Sequence, residues 1–80
     1  MTESDVLGRL TPVFRQVFED DTIVAHMDMK ASDVRRWDSL SHIDMVLVVE
    51  KEFGIRMSAR ELSELMSVRD LVRVILAKAA

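Results

Sequence analysis

The chain has 80 residues, 49% of them hydrophobic and 31% charged, with a formal net charge of −3 and no cysteine. This describes one small, soluble, globular domain over residues 1–80 and excludes a disordered chain, a disulfide scaffold, a thiolate zinc site and a cysteine nucleophile. The acidic balance argues against nucleic acid as a partner, because affinity for a phosphate backbone comes from Lys and Arg.

The first helical pattern runs from about Ser4 to Glu19, with Val6, Leu7, Leu10, Val13, Phe14, Val17 and Phe18 spaced by threes and fours. Ser4 is the expected N-cap. Pro12 lies inside the pattern and removes one backbone donor. Either the helix starts at Thr11-Pro12 or it runs through Pro12 with a kink. The unbroken apolar register favours the second, and Gly8, four residues earlier, would ease the clash with the ring. Ahead of this helix, Met1-Thr2-Glu3-Ser4-Asp5 is acidic where a secretory leader is basic. No apolar run reaches the roughly 20 residues of a bilayer span. A cytoplasmic, free-standing monomer is therefore expected.

Residues 20–38 form a long loop without a sustained period. Ile23, Val24, Met27, Met29, Val34 and Trp37 punctuate it and are expected to hold it against the core. Ala31-Ser32-Asp33-Val34 is long enough for a single helical turn. The second helix spans 39–53, with Asp38 as N-cap and Gly54 as C-terminal stop. Met45-Val46-Leu47-Val48-Val49 alone would pass for a buried strand, but the helical pattern is longer and has no strand to pair with. Helical angle puts Met45, Val46, Val49 and Phe53 inward, and Leu40, Ile43 and Leu47 nearer the surface unless the loop covers Leu40 and Leu47. Ser58-Ala59-Arg60-Glu61 matches a capping box and opens a short third helix over 59–65. Ser67-Val68-Arg69-Asp70 caps a fourth helix over 68–79. The expected fold is all-α: a four-helix bundle with one long connection and a short third helix.

The informative segment is Trp37-Asp38-Ser39-Leu40-Ser41-His42-Ile43, where the loop enters the second helix. Ser39 would stand exposed at the first helical position with unpaired backbone N–H groups beside it. Those donors and the helix dipole favour a phosphate there. Taken alone, Asp38 and Ser39 also read as plain capping residues. His42 is expected exposed on the first turn. His26 and His42 make no helical pair for a metal, and no metal site is expected. Arg35-Arg36, beside Ser39, would contact a phosphate or a partner, or simply be solvated.

Three blocks occur in order: Asp38-Ser39-Leu40, then Glu50-Lys51-Glu52-Phe53-Gly54, then Ser67-Val68-Arg69-Asp70-Leu71. Together they resemble the acyl carrier protein family of phosphopantetheine-binding domains, over residues 6–77. The resemblance implies a carrier with no catalytic residues. A phosphopantetheinyl transferase would move a 4′-phosphopantetheine arm from coenzyme A to Ser39, and the arm would hold acyl groups as thioesters. An acyl-loading ligase or acyltransferase and downstream acyl-processing enzymes would be the other partners. Asp38 would contact the transferase, and Leu40, Ile43, Asp44 and Leu47 would meet partner surfaces. Read from the residues themselves, Glu50 and Glu52 with Asp44 would either meet basic partner surfaces or form a solvated polar face.

Trp37 before Asp-Ser-Leu resembles discrete carriers of polyketide or specialised pathways, and also D-alanyl or aminoacyl carriers. The second helix is less acidic than in fatty-acid synthesis carriers. The rival is a helical interaction or DNA-binding module built on the third and fourth helices, which the charge opposes.

Overall fold

The computed structural model describes residues 1–79: helix α1 (Glu3–Val17), a 3-10 turn η1 (Ala31–Asp33), and helices α2 (Ser39–Phe53), α3 (Ala59–Glu64) and α4 (Val68–Ala79). The described residues contain no strand, and the order of elements is that of the expected four-helix bundle.

α1 starts earlier than expected, and its cap is Thr2 rather than Ser4. The Thr2 hydroxyl accepts from Asp5 N–H at 3.1 Å, and the Asp5 carboxylate accepts from Thr2 N–H at 2.9 Å. A capping box needs its acceptor three residues on. Thr2 has Asp5 there, whereas Ser4 has Leu7. The helix then runs continuously through Pro12. Pro12 and Gly8 are both exposed, so the ring sits on the solvent side. α1 stops two residues short of the expected Glu19. There Glu19 turns left-handed with φ 52°, and Asp20 N–H donates back to Arg15 O at 3.1 Å.

α1 packs on both α2 and α4. Val6, Leu10 and Phe14 of α1, Met45 and Val49 of α2, and Val68, Leu71, Val72 and Ile75 of α4 are wholly shielded from solvent. These are the core. α3 buries no side chain; Leu65, just beyond its end, is buried at 6% exposure.

The long loop has an order that helical periodicity missed. From Ile23 to Lys30 burial alternates: Ile23, Ala25 and Met29 inward, Val24, His26, Asp28 and Lys30 outward. The alternation passes through a turn at Met27-Asp28, closed by Met29 N–H donating to His26 O at 3.2 Å. It puts Val24, expected against the core, 58% exposed, and buries Ala25 instead. Side chains and backbone pin the segment down. Thr11 Oγ1 accepts from Ala25 N–H at 3.0 Å, Arg15 Nε donates to Ile23 O at 2.8 Å, and Val68 N–H donates to Met29 O at 2.8 Å. An isolated antiparallel bridge pairs Lys30 with Ser67, so the loop is stitched to the junction before α4.

Candidate attachment site at the start of helix α2

Asp38 caps α2. Its Oδ1 accepts from Leu40 N–H at 3.1 Å and from Ser41 N–H at 2.9 Å, while Asp38 N–H donates to Ser41 Oγ at 2.9 Å. Ser41 Oγ–H in turn donates to the Arg36 carbonyl. These bonds, led by the one from Ser41 N–H, hold the Asp38 carboxyl below its ordinary 3.8. Ser39 takes no part in the cap. It is exposed at the first helical position, its hydroxyl uncommitted beside a neighbour, Ser41, whose hydroxyl is fully engaged.

One expectation fails here. The N–H groups beside Ser39 are not unpaired, because the Asp38 carboxylate occupies those of Leu40 and Ser41. A helix N-terminus attracts an anion, and here the cap itself is that anion. A phosphate on Ser39 would therefore not be drawn into the helix end. The neighbouring negative charge would hold it outward.

His42 is also not where the sequence suggested. It is half-buried rather than exposed. Trp37 Nε1–H donates to its Nδ1 at 2.9 Å, and its Nε2 lies 3.0 Å from the Leu62 carbonyl of α3. The Trp37 and His42 rings stack with centroids 6.1 Å apart. Trp37 is buried against Phe14 and Phe18, at 5.8 Å and 5.3 Å between centroids. The end of the loop is thus anchored by an aromatic cluster just before Ser39.

On the outer face of α2, Leu40 is 77% exposed, Ile43 49% and Leu47 59%, with Asp44 exposed among them. The loop does not cover Leu40 or Leu47. On the inner face Met45, Val46 and Val49 are buried, but Phe53 is only half-buried, lying under the Arg9 guanidinium at 4.3 Å. Arg9 also pairs with Glu52 at 2.8 Å, and Glu50 Oε2 accepts from Met57 N–H at 2.7 Å. The two glutamates expected to face basic partners are therefore engaged within the chain, Glu50 half-buried and Glu52 exposed but paired. Arg36 is likewise paired, with Glu19 at 2.8 Å, while Arg35 is exposed. A groove of about 340 Å³ opens beside Ser39, between the loop, α2 and α3.

The sequence model for the phosphopantetheine attachment site matches residues 37–75. The fold superimposes on the solution structure of a holo acyl carrier protein from Geobacter metallireducens with a TM-score of 0.83 and 42% identity, covering 90% of this chain and 83% of that one. The chain belongs to the acyl carrier protein family. A crystal structure of an acyl carrier protein from Thermotoga maritima, at 21% identity, shares the fold alone: TM-score 0.82, over 95% of this chain and 88% of that one. No curated protein matches the sequence.

As a member of this family the chain is a carrier that enzymes act upon, not an enzyme, and its prosthetic group is phosphopantetheine. The start of α2 fits such a group: an exposed, uncommitted hydroxyl at the rim of a groove, on a capped and anchored helix end. Among the described residues no cluster of His, Asp or Glu could hold a metal ion, and no helix is long and apolar enough to cross a membrane. α3 has six residues, and Arg60, Arg69 and Lys78 pair with Glu64, Asp28 and Glu61. That leaves little on α3 and α4 to form a basic recognition face for DNA.

Proposed function

We propose that Ser39 is the attachment residue and that the chain, acting as a cytoplasmic monomer, carries acyl intermediates for a polyketide, specialised fatty-acid or related acyl-transfer pathway. The observation that carries the reading is the contrast within one turn of α2. Ser41 is engaged in the cap, whereas Ser39 is exposed and free of it. When bound, the 4′-phosphopantetheine arm supplies a thiol for thioester formation, chemistry that a chain without cysteine lacks.

The protein's own residues position and present. Asp38 fixes the helix start through Oδ1 and leaves Oδ2 for a transferase contact. Leu40, Ile43 and Leu47, spaced along one helical face, supply an apolar stripe with Asp44 in it. That stripe is the docking surface for the transferase and for an acyl-loading ligase or acyltransferase. The choice of pathway is supported by Trp37 before Asp38-Ser39-Leu40, and by Glu50 and Glu52 being engaged by the Met57 N–H and by Arg9. An α2 with less free acid suits partners less basic than those that an acidic helix would attract.

The test is intact mass after incubation with coenzyme A and a broad-specificity transferase. A single covalent addition is expected on the wild type and on Ser41→Ala, and none on Ser39→Ala. An addition that survives Ser39→Ala overturns the assignment.

A further inference from the structure

The partners of His42 define its chemical state. The Trp37 indole N–H can only donate, and the Leu62 carbonyl can only accept. The first faces Nδ1 at 2.9 Å and the second faces Nε2 at 3.0 Å. Both bonds form together only on a neutral imidazole with its proton on Nε2. A second proton, on Nδ1, sets one donor against another and breaks the bond to Trp37.

This bridge joins three pieces of chain: the end of the loop, the first turn of α2 and the last turn of α3. All three line the groove beside Ser39, through Trp37, His42, Leu62 and their neighbours. α3 has no completely buried side chain; Leu62 is partly buried against the core, and this bond and the Lys78–Glu61 pair at 3.0 Å add to its attachment. The charged groups on the elements around the ring are engaged elsewhere or exposed. Asp38 caps α2, Arg36 pairs with Glu19, Arg60 with Glu64, and Glu61 with Lys78; Arg35 and Asp44 are exposed. Among the described residues, Trp37 and Leu62 are the hydrogen-bond partners of the ring.

We propose that neutral His42 is a positioning residue for the attachment site: it ties Trp37 to α3 across the wall of the groove beside Ser39, and protonation, which leaves Nε2–H on the Leu62 carbonyl, cuts that tie at Trp37. The proposal rests on the carrier reading of Ser39. It makes presentation of Ser39 sensitive to acid, because only the neutral ring accepts from the Trp37 indole N–H.

Two measurements on the full chain test it. In the unmodified protein, nitrogen-15 NMR should find His42 neutral with its proton on Nε2 at high pH. The Trp37 indole N–H resonance should move as His42 titrates. Then the rate of transferase-catalysed addition from coenzyme A is compared with that of His42→Gln, whose amide offers an acceptor and a donor but does not titrate. Taking the ratio of wild type to His42→Gln at each pH cancels the transferase's own pH dependence. The ratio should be near one where the spectra show His42 neutral and fall several-fold where they show it protonated, while His42→Ala is slow throughout. If His42→Ala does not fold, the Gln comparison and the wild-type spectra still decide. A proton on Nδ1 in the neutral ring, or a ratio flat with pH, overturns the proposal. Addition to Ser39 with a flat ratio removes only the role of His42. No addition at all removes the carrier reading and this proposal with it.

Discussion

The two ends of α2 are built on opposite plans. At its C-terminal end the acidic groups are engaged by other parts of the chain. Glu52 and Phe53 take Arg9, Glu50 takes the Met57 N–H, and Gly54 closes the helix in a left-handed conformation with φ 66°. At its N-terminal end the cap is just as complete, yet it is assembled around a serine that it does not use. Ser39, Leu40 and Ile43 then face solvent. One end is a structural clamp, and the other is a rigid stand for an exposed group. A capped helix start beside an exposed hydroxyl suits the attachment proposed at Ser39, because a partner enzyme must find the residue in one place.

The first way to break this comparison is to remove the anchor beneath the open end. Phe18 is fully buried and stacks on Trp37. Phe18→Ala should cost about 3–5 kcal/mol in denaturant unfolding, a large part of the roughly 4–12 kcal/mol expected for a domain of this size. A much smaller loss would mean that the loop does not depend on the aromatic cluster. At the closed end, Gly54→Ala meets open space, so only the positive φ opposes it. The expected loss is about 1 kcal/mol by the same measurement.

Acid should act on the caps. Hydrogen bonds from Ser41 hold the folded Asp38 carboxyl below its ordinary 3.8. A group whose acidity is enhanced by folding stabilises the fold while it is ionised. Its contribution is present above 3.8 and is lost as pH falls through the lower folded value. The thermal midpoint of wild type should therefore drop toward that of Asp38→Asn as pH is lowered from about 5 to about 2. A gap that stays constant would show that the charge of Asp38 does not support the cap. The smallest effect on stability belongs to the outer stripe. Leu40→Gln should change unfolding by less than about 0.5 kcal/mol, yet slow addition of the arm by the transferase. Equal rates would remove Leu40 from the docking surface.

What could be read from the sequence follows from how local each signal is. Caps and stops act within four residues, so Asp38, Gly54 and the Ser58–Glu61 box were legible. Thr2 was missed because Ser4 is also a good cap, and only the acceptor three residues on decides between them. The outer and inner faces of α2 followed from helical angle, save at Phe53, where Arg9 from another helix intervenes. The alternation from Ile23 to Lys30 was present in the sequence, but a search for helical spacing passes over a period of two. The bridge at His42 left no trace. Its second partner is a backbone carbonyl 20 residues away, and a carbonyl carries no residue signature. The pairing of Glu52 likewise depends on Arg9, 43 residues distant.

The central claim concerns one oxygen atom, and fragmentation of the modified protein reads it directly. After treatment with coenzyme A and transferase, tandem mass spectrometry of the peptide spanning Trp37 to Lys51 should locate the whole added mass on Ser39. Mass on Ser41 instead, or on any residue outside this peptide, would contradict the account.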